Sequence, residues 1–238
     1  MNIRWTSLAI LLTWGAAIAA GETTAPARLT ATLNAPPPAG AIVLYDGSSM
    51  DAWASQKYRK WEDTDGPADW KILANGSLEV VPGAGSLITK ERFGDCKLHL
   101  ELRLLGPPTN GGVFVMCRYE LGIKSDAVGE RPYVGAFENL KEPIRPLVHT
   151  TLPVRHWQSL DADFRAPRLN EKGATTEHAR ASVWLNGVLI HDNVELGPRK
   201  GAAKRLGDAT AAPLMLQEHG AAYQFRNIWI VDQSAKSR

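Results

Sequence analysis

In the stretch Cys96-Lys97-Leu98-His99-Leu100-Glu101-Leu102-Arg103-Leu104 every even-numbered residue is apolar or cysteine, and every odd-numbered one is polar or charged. Strand side chains alternate between two faces, whereas helical ones return every 3.6 residues. The pattern therefore specifies a strand with one face in a core and the other turned outward. Such a strand needs neighbours to pair with and a second layer to cover it. Ser182-Val183-Trp184-Leu185 and Val188-Leu189-Ile190-His191 flank Asn186-Gly187, the dipeptide that tolerates positive φ at both centres of a type I′ turn, so they form a hairpin. Further strands are expected at residues 41–45, 77–81, 86–89, 112–121, 213–217 and 225–231. No segment carries a long amphipathic helical pattern. The fold class is all-β, a two-sheet antiparallel β-sandwich of jelly-roll type.

Residues 105–111, with Gly106 and the pair Pro107-Pro108, read as a turn that sends the chain back into the 112–121 strand. A symmetric hairpin about this loop sets Leu104 opposite Val113, His99 opposite Arg118 and Lys97 opposite Glu120. It also sets Cys96 opposite Leu121 and Cys117 opposite Leu100, too far apart for a disulfide, so two separate buried thiols are expected. In the same register Glu101 and Glu120 lie roughly 13 Å apart along neighbouring strands at about 3.3 Å per residue. That disfavours a paired-carboxylate glycosidase, whose carboxyls stand about 5 to 9.5 Å apart.

The start of the chain reads as an export signal over residues 1–20: Arg4, a small apolar run, and the cleavage-like Ala17-Ile18-Ala19. The apolar run is shorter than the roughly 20 residues that a spanning helix needs. Residues 21–40, rich in Pro, Ala and Thr, read as a linker, which leaves 41–233 as one domain. A secreted or periplasmic protein, off the membrane once its signal is removed, is the expectation. With 27 Lys+Arg against 25 Asp+Glu there is no basic stripe to neutralise phosphates, which argues against nucleic acid as a partner. The six histidines fall in no short ligand spacing, so no metal or other cofactor is indicated. Calcium held by scattered oxygens leaves no such trace. Oligomeric state is not written in the sequence.

Eleven short pieces occur here in the order in which they occur in a known family. Among them are Leu44-Tyr45-Asp46-Gly47, Gly76-Ser77-Leu78-Glu79-Val80, Asn110-Gly111-Gly112-Val113-Phe114, Arg118-Tyr119-Glu120, Leu185-Asn186-Gly187-Val188, Leu216-Gln217-Glu218-His219-Gly220 and Phe225-Arg226-Asn227-Ile228. Together the pieces resemble the 3-keto-disaccharide hydrolase domain family, formerly a domain of unknown function, with a concanavalin A-like jelly roll. The resemblance implies a carbohydrate partner and cleavage of glucosides already oxidised at C3, at a site on the concave face of a sheet. A ketone at C3 acidifies the hydrogen on C2, so a base removes it, the aglycone leaves C1 and water adds back.

Mapped onto this chain, the resemblance makes Glu120 the base, Arg118 the group that stabilises the enolate, and His219 the acid or second base. His219 suits that role because its ordinary pKa of about 6.5 serves proton donation or removal. Gln217, Asn110, His99, Glu101 and Arg226 are the candidate substrate contacts. The chain departs from the family run Y-E-V-Q, apolar pair, Asp: the Gln position is Gly122 and the Asp position Ser125, with Asp126 next to it. An Arg two residues before Arg118 is replaced by Met116. These departures favour a second reading, a non-catalytic carbohydrate-binding module. A cell-surface interaction module is a third. Trp53, Trp157, Trp184 and Trp229 are expected in the core rather than against sugar rings.

Overall fold

The computed structural model describes residues 32–56, 61–106, 108–125 and 133–234. The expected export signal lies outside them, as does Asp126. In chain order the first strands are β1 (Ile42–Tyr45), β2 (Trp53–Gln56), β3 (Gly66–Pro67), β4 (Lys71–Ile72), β5 (Leu78–Glu79) and β6 (Ser86–Thr89). There follow β7 (Cys96–Leu104), β8 (Thr109–Val115), β9 (Tyr119–Ser125), β10 (Tyr133–Phe137), β11 (Gln158–Arg165), β12 (Arg168–Leu169) and β13 (Thr175–Glu177). The last are β14 (Ala179–Leu185), β15 (Val188–Leu196), β16 (Met215–Leu216) and β17 (Tyr223–Asp232), with a short 3-10 turn at Gly201–Arg205 before β16.

Two antiparallel sheets enclose one core. The first has the order β15-β14-β11-β7-β17-β5-β4, with β1 also paired to β17, and the second β10-β9-β8-β16-β6-β2-β3. From the first sheet Leu98, Leu100, Leu102 and Leu104 enter the core, and from the second Val113, Val115, Leu121 and Ile123, all 4% exposed or less. Each fully buried side chain of this size is worth about 1.5–3 kcal/mol, so the facing rows are the main stabilising contact. This is the two-sheet jelly roll expected from the alternation, of the concanavalin A-like kind that the family resemblance implied.

The hairpin expected around residues 105–111 is not formed. β7 pairs with β11 and β17, setting His99 opposite Asp161 and Trp229, whereas β8 pairs with β9 and β16. Arg118 is therefore not opposite His99, nor Glu120 opposite Lys97. The loop carries the chain from one sheet to the other. Alternation reports which face of a strand is buried but not which strand lies beside it, and two apolar rows meet as well across a core as within a sheet. The partner of β8 is fixed by a reversal that the sequence hides inside the expected 112–121 strand. Met116 and Cys117 take φ of 55° and 52°, and the Arg118 N–H closes the turn on the Val115 carbonyl at 3.1 Å. Positive φ at both central residues belongs to a type I′ turn, normally the place of Asn and Gly. Asn186 (φ 55°) and Gly187 (φ 77°) do fill such a turn, between β14 and β15.

Cys96 and Cys117 are free and buried, with burial first among the causes that push each thiol up to about 12. The part of the expected linker within the described residues is not a free tail. Residues 32–35 lie on the outer face of the first sheet, where Thr32 bonds Ser159 and the Asn34 N–H donates to Glu101. Of the tryptophans expected in the core, Trp53 is there at 1% exposure. Trp157, Trp184 and Trp229 are only half-buried. Trp229 stacks on His99 at 4.8 Å between ring centroids, and Trp157 lies under Arg226 and Arg103 at 4.3 and 4.9 Å. Trp229 and Trp157 cover polar groups on the outer face, which their amphipathic rings suit.

Candidate functional site

On the outer face of the second sheet two adjoining hollows, of about 350 and about 530 Å³, share Trp61, Gln217 and His219 as common walls. Alternation along β9 sends Tyr119, Leu121 and Ile123 inward, and so turns Glu120, Gly122 and Lys124 out. Along β8 the same rule turns Asn110, Gly112 and Phe114 outward beside them. Ile88, Phe114, Cys117 and Met215 form a small apolar floor on this face, with Trp61 packed edge-on against Phe114 at 5.2 Å. The half-buried Trp61 ring over this apolar floor suits a face of a ring-shaped ligand.

Glu120 sits in the smaller hollow with Lys124, Glu138 and Lys200. Its neighbour Gly112 makes room for it, because a Cβ there would stand 2.9 Å from Glu120 Cγ. The carboxyl receives no hydrogen bond from a described residue, and its pKa rises from 4.5 to about 7. Burial is the main cause; the negative charge of Glu138 adds to it, while Lys124 and Lys200 pull the other way. A carboxyl in that range exchanges protons near neutrality, which is what a general base or acid requires.

Across the groove the Asn110 amide donates to His219 Nδ1 at 3.1 Å, which leaves the other ring nitrogen to carry the proton of the neutral ring. Gln217 lies between them, its N–H bonded to the Gly112 carbonyl at 2.9 Å and its own carbonyl accepting from the Tyr223 hydroxyl. Its side-chain Oε1 is buried and has no hydrogen-bond partner among the described residues, while the residue itself lines both hollows. Glu120, Asn110, Gln217 and His219 thus line one groove.

The other expected site residues are elsewhere. Arg118 is 4% exposed and lines neither hollow. Its guanidinium is held by Glu62, by the Gly207 carbonyl at 2.8 Å and by the Met116 carbonyl at 2.9 Å, so it fastens the 115–118 turn to neighbouring loops. Its Nε and Nη1 donors are thereby committed, and, buried outside both hollows, it is not placed to meet an enolate. His99, Glu101 and Arg226 project from the opposite side of the molecule, on the outer face of the first sheet. There Glu101, with no exposure, accepts from Arg226 at 2.6 Å, from Asn227 at 3.0 Å and from the Asn34 backbone. Burial alone would raise its pKa, but these bonds and the nearby His99 hold it at about 2. His99 is likewise penalised by burial, yet its 2.6 Å bond to Asp161 and its proximity to Glu101 keep its pKa above the ordinary value. The odd positions of β7 were expected to be wet. His99 and Glu101 are instead covered by residues 32–35 and Trp229 and pair with Asp161 and Arg226, whereas Lys97 is exposed and Arg103 half-buried.

Lys124, Glu138, Lys200, Trp61 and Phe114 complete the groove without having been singled out in the sequence. Lys124 and Phe114 share the parity of Glu120 and Gly112 on strands already recognised, and that signal could have found them. Trp61 and Lys200 come from loops, where no periodicity marks them. Among the described residues no cluster of His, Cys, Asp or Glu is arranged to hold a metal ion.

The chain matches the 3-keto-alpha-glucoside-1,2-lyase-like domain over residues 40–231. Among solved structures it is similar to a candidate glycosyl hydrolase of Parabacteroides distasonis, at 27% identity and a TM-score of 0.67. That likeness covers 82% of this chain and 84% of the other. A second such protein of the same organism matches at 15% identity and a TM-score of 0.55, covering 81% and 94%, a likeness of fold alone. No curated protein matches. With four-fifths of its length matched by one domain description, and the groove built on strands within that span, the chain belongs to the 3-keto-alpha-glucoside-1,2-lyase-like domain family.

Proposed function

We propose that this chain is an exported, carbohydrate-active enzyme that cleaves glucosides oxidised at C3, by elimination followed by hydration. The observation that carries this reading is Glu120: a carboxyl poised near pH 7 in a groove with an apolar, aromatic floor, free of hydrogen bonds from described residues. Ionised, it takes the C2 proton, and the electron pair moves into the enolate of the C3 ketone. Collapse of the enolate breaks the C1–O bond and leaves a C1–C2 double bond conjugated to the ketone. The departing oxygen takes a proton from His219 or from water. Water then adds at C1, and C2 regains its proton from Glu120. The stabilising cation expected of Arg118 falls to Lys200, which lines the same hollow and has no carboxylate partner among the described residues, whereas Lys124 is engaged by Glu138 at 3.3 Å. Family membership and the Parabacteroides relative support a carbohydrate ligand.

Incubation of the purified protein with a 3-keto-disaccharide and with the unoxidised sugar tests the reading. Release of monosaccharide from the oxidised sugar alone, lost by about 10²–10⁴-fold in Glu120→Gln, is expected. Equal activity in that variant would sink it. Trp61, half-buried and backed by Phe114, favours a second reading, a binding module that stacks a sugar and does no chemistry. Binding of both sugars with no turnover over days would select it.

A further inference from the structure

Glu138 follows the edge strand β10, and its backbone N–H donates to the Glu120 carbonyl at 3.2 Å. Phe137 before it points into the core, so parity sends Glu138 to the groove side with Glu120, Gly122 and Lys124. Gly122 is what lets it lean into the groove: a Cβ at Gly122 would lie 2.8 Å from Glu138 Cγ, so any larger residue displaces the carboxylate. Lys124 Nζ contacts one carboxylate oxygen at 3.3 Å and Arg145 the other, also at 3.3 Å. The side chain is 13% exposed, and it lines the hollow that holds Glu120. An ionised carboxylate has about four lone-pair positions. One cation on each oxygen orients the group and leaves acceptor capacity on both.

We propose that Glu138 is the specificity-determining residue of the groove, its carboxylate accepting a hydrogen bond from one ring hydroxyl of a neutral glucoside lying against Glu120. The inference rests on the reading that the groove binds sugar. A site built around an acceptor for a hydroxyl discriminates strongly against the analogue that lacks it, since the buried acceptor is then left without a donor. Gly122 belongs to the same device, because its missing side chain sets where the carboxylate stands.

The test is calorimetric binding of methyl glucoside and of its 2-, 4- and 6-deoxy analogues to the whole chain, the Glu138→Ala variant and the Gly122→Ala variant. Unoxidised sugars are used so that binding is read apart from turnover. Wild type should bind one deoxy analogue at least about tenfold more weakly than the parent. That gap should shrink to about twofold or less in Glu138→Ala, and narrow in Gly122→Ala, where the charge remains but is displaced. Thermal melting establishes that each variant is folded, and the similarly sized Glu138→Met, which offers no oxygen acceptor, replaces the alanine variant if that one is not. A gap of unchanged size in the variants, or no gap in wild type, overturns the role of Glu138 and leaves the sugar reading standing. Failure of wild type to bind any of the sugars overturns both.

Discussion

The Glu120 carboxyl has no compensating hydrogen bond among the described residues, so its ionisation works against the folded state, and that gives it two measurable signatures. Its pKa rises from 4.5 to about 7, chiefly through burial, so the folded protein holds this proton more tightly than the unfolded chain does. The associated stability is present at low pH and is lost as pH rises from about 4.5 through about 7. At about 1.4 kcal/mol per unit this amounts to at most about 3.5 kcal/mol. Glu120→Gln should therefore unfold at a higher urea concentration than wild type at pH 8, with the difference vanishing at pH 4. In the proposed reaction the same titration appears in the rate. The base must be ionised, so kcat/KM should climb with pH and level off above about 7. A limb near the ordinary carboxylate value, about 4.3, would mean that another group is the base. Glu120 was found because the family resemblance marked it, and strand parity then says which residues share its face. The groove's Glu138 was not found, because its place depends on an empty volume at Gly122 on another strand.

At the scale of the element, the turns and the N-terminal segment decide what lies beside what. Asn186 holds the β14–β15 turn at φ 55°, while its side chain accepts from the Ser159 N–H at 3.2 Å and donates to the Thr150 carbonyl at 2.9 Å. Asn186→Ala removes a residue suited to the left-handed region and leaves both buried partners short of a bond. A loss of about 2–3 kcal/mol in urea unfolding is expected. The Asn-Gly dipeptide announces this turn; Met116-Cys117 announces nothing, since both residues read as strand and are held in the turn by burial of their side chains and by the bonds of Arg118. That concealed reversal moved His99, Glu101 and Arg226 to the far side of the sandwich from Glu120. Arg226→Met should cost about 3 kcal/mol by stranding the buried Glu101 charge, while turnover of the folded variant stays unchanged. Loss of turnover without loss of stability would place that cluster back in the function.

For the whole molecule, the alternation of apolar residues was enough to give two antiparallel sheets over one core, because burial of one face per strand is what periodicity encodes. It was not enough to order the strands, and so could not say which of the two outer faces a given polar residue would reach. On one outer face residues 32–35 cover Glu101, which Arg226 pairs; the other carries an open groove with a carboxyl poised to move a proton. The central claim is that this groove performs chemistry on oxidised glucosides through Glu120. Its most direct test is monosaccharide release from a 3-keto-disaccharide, followed in deuterated water by the label at C2 of the product, for wild type and Glu120→Gln. The account predicts release with deuterium at C2 in wild type and neither in the variant. Release at the wild-type rate by Glu120→Gln, or product without deuterium at C2, would contradict it.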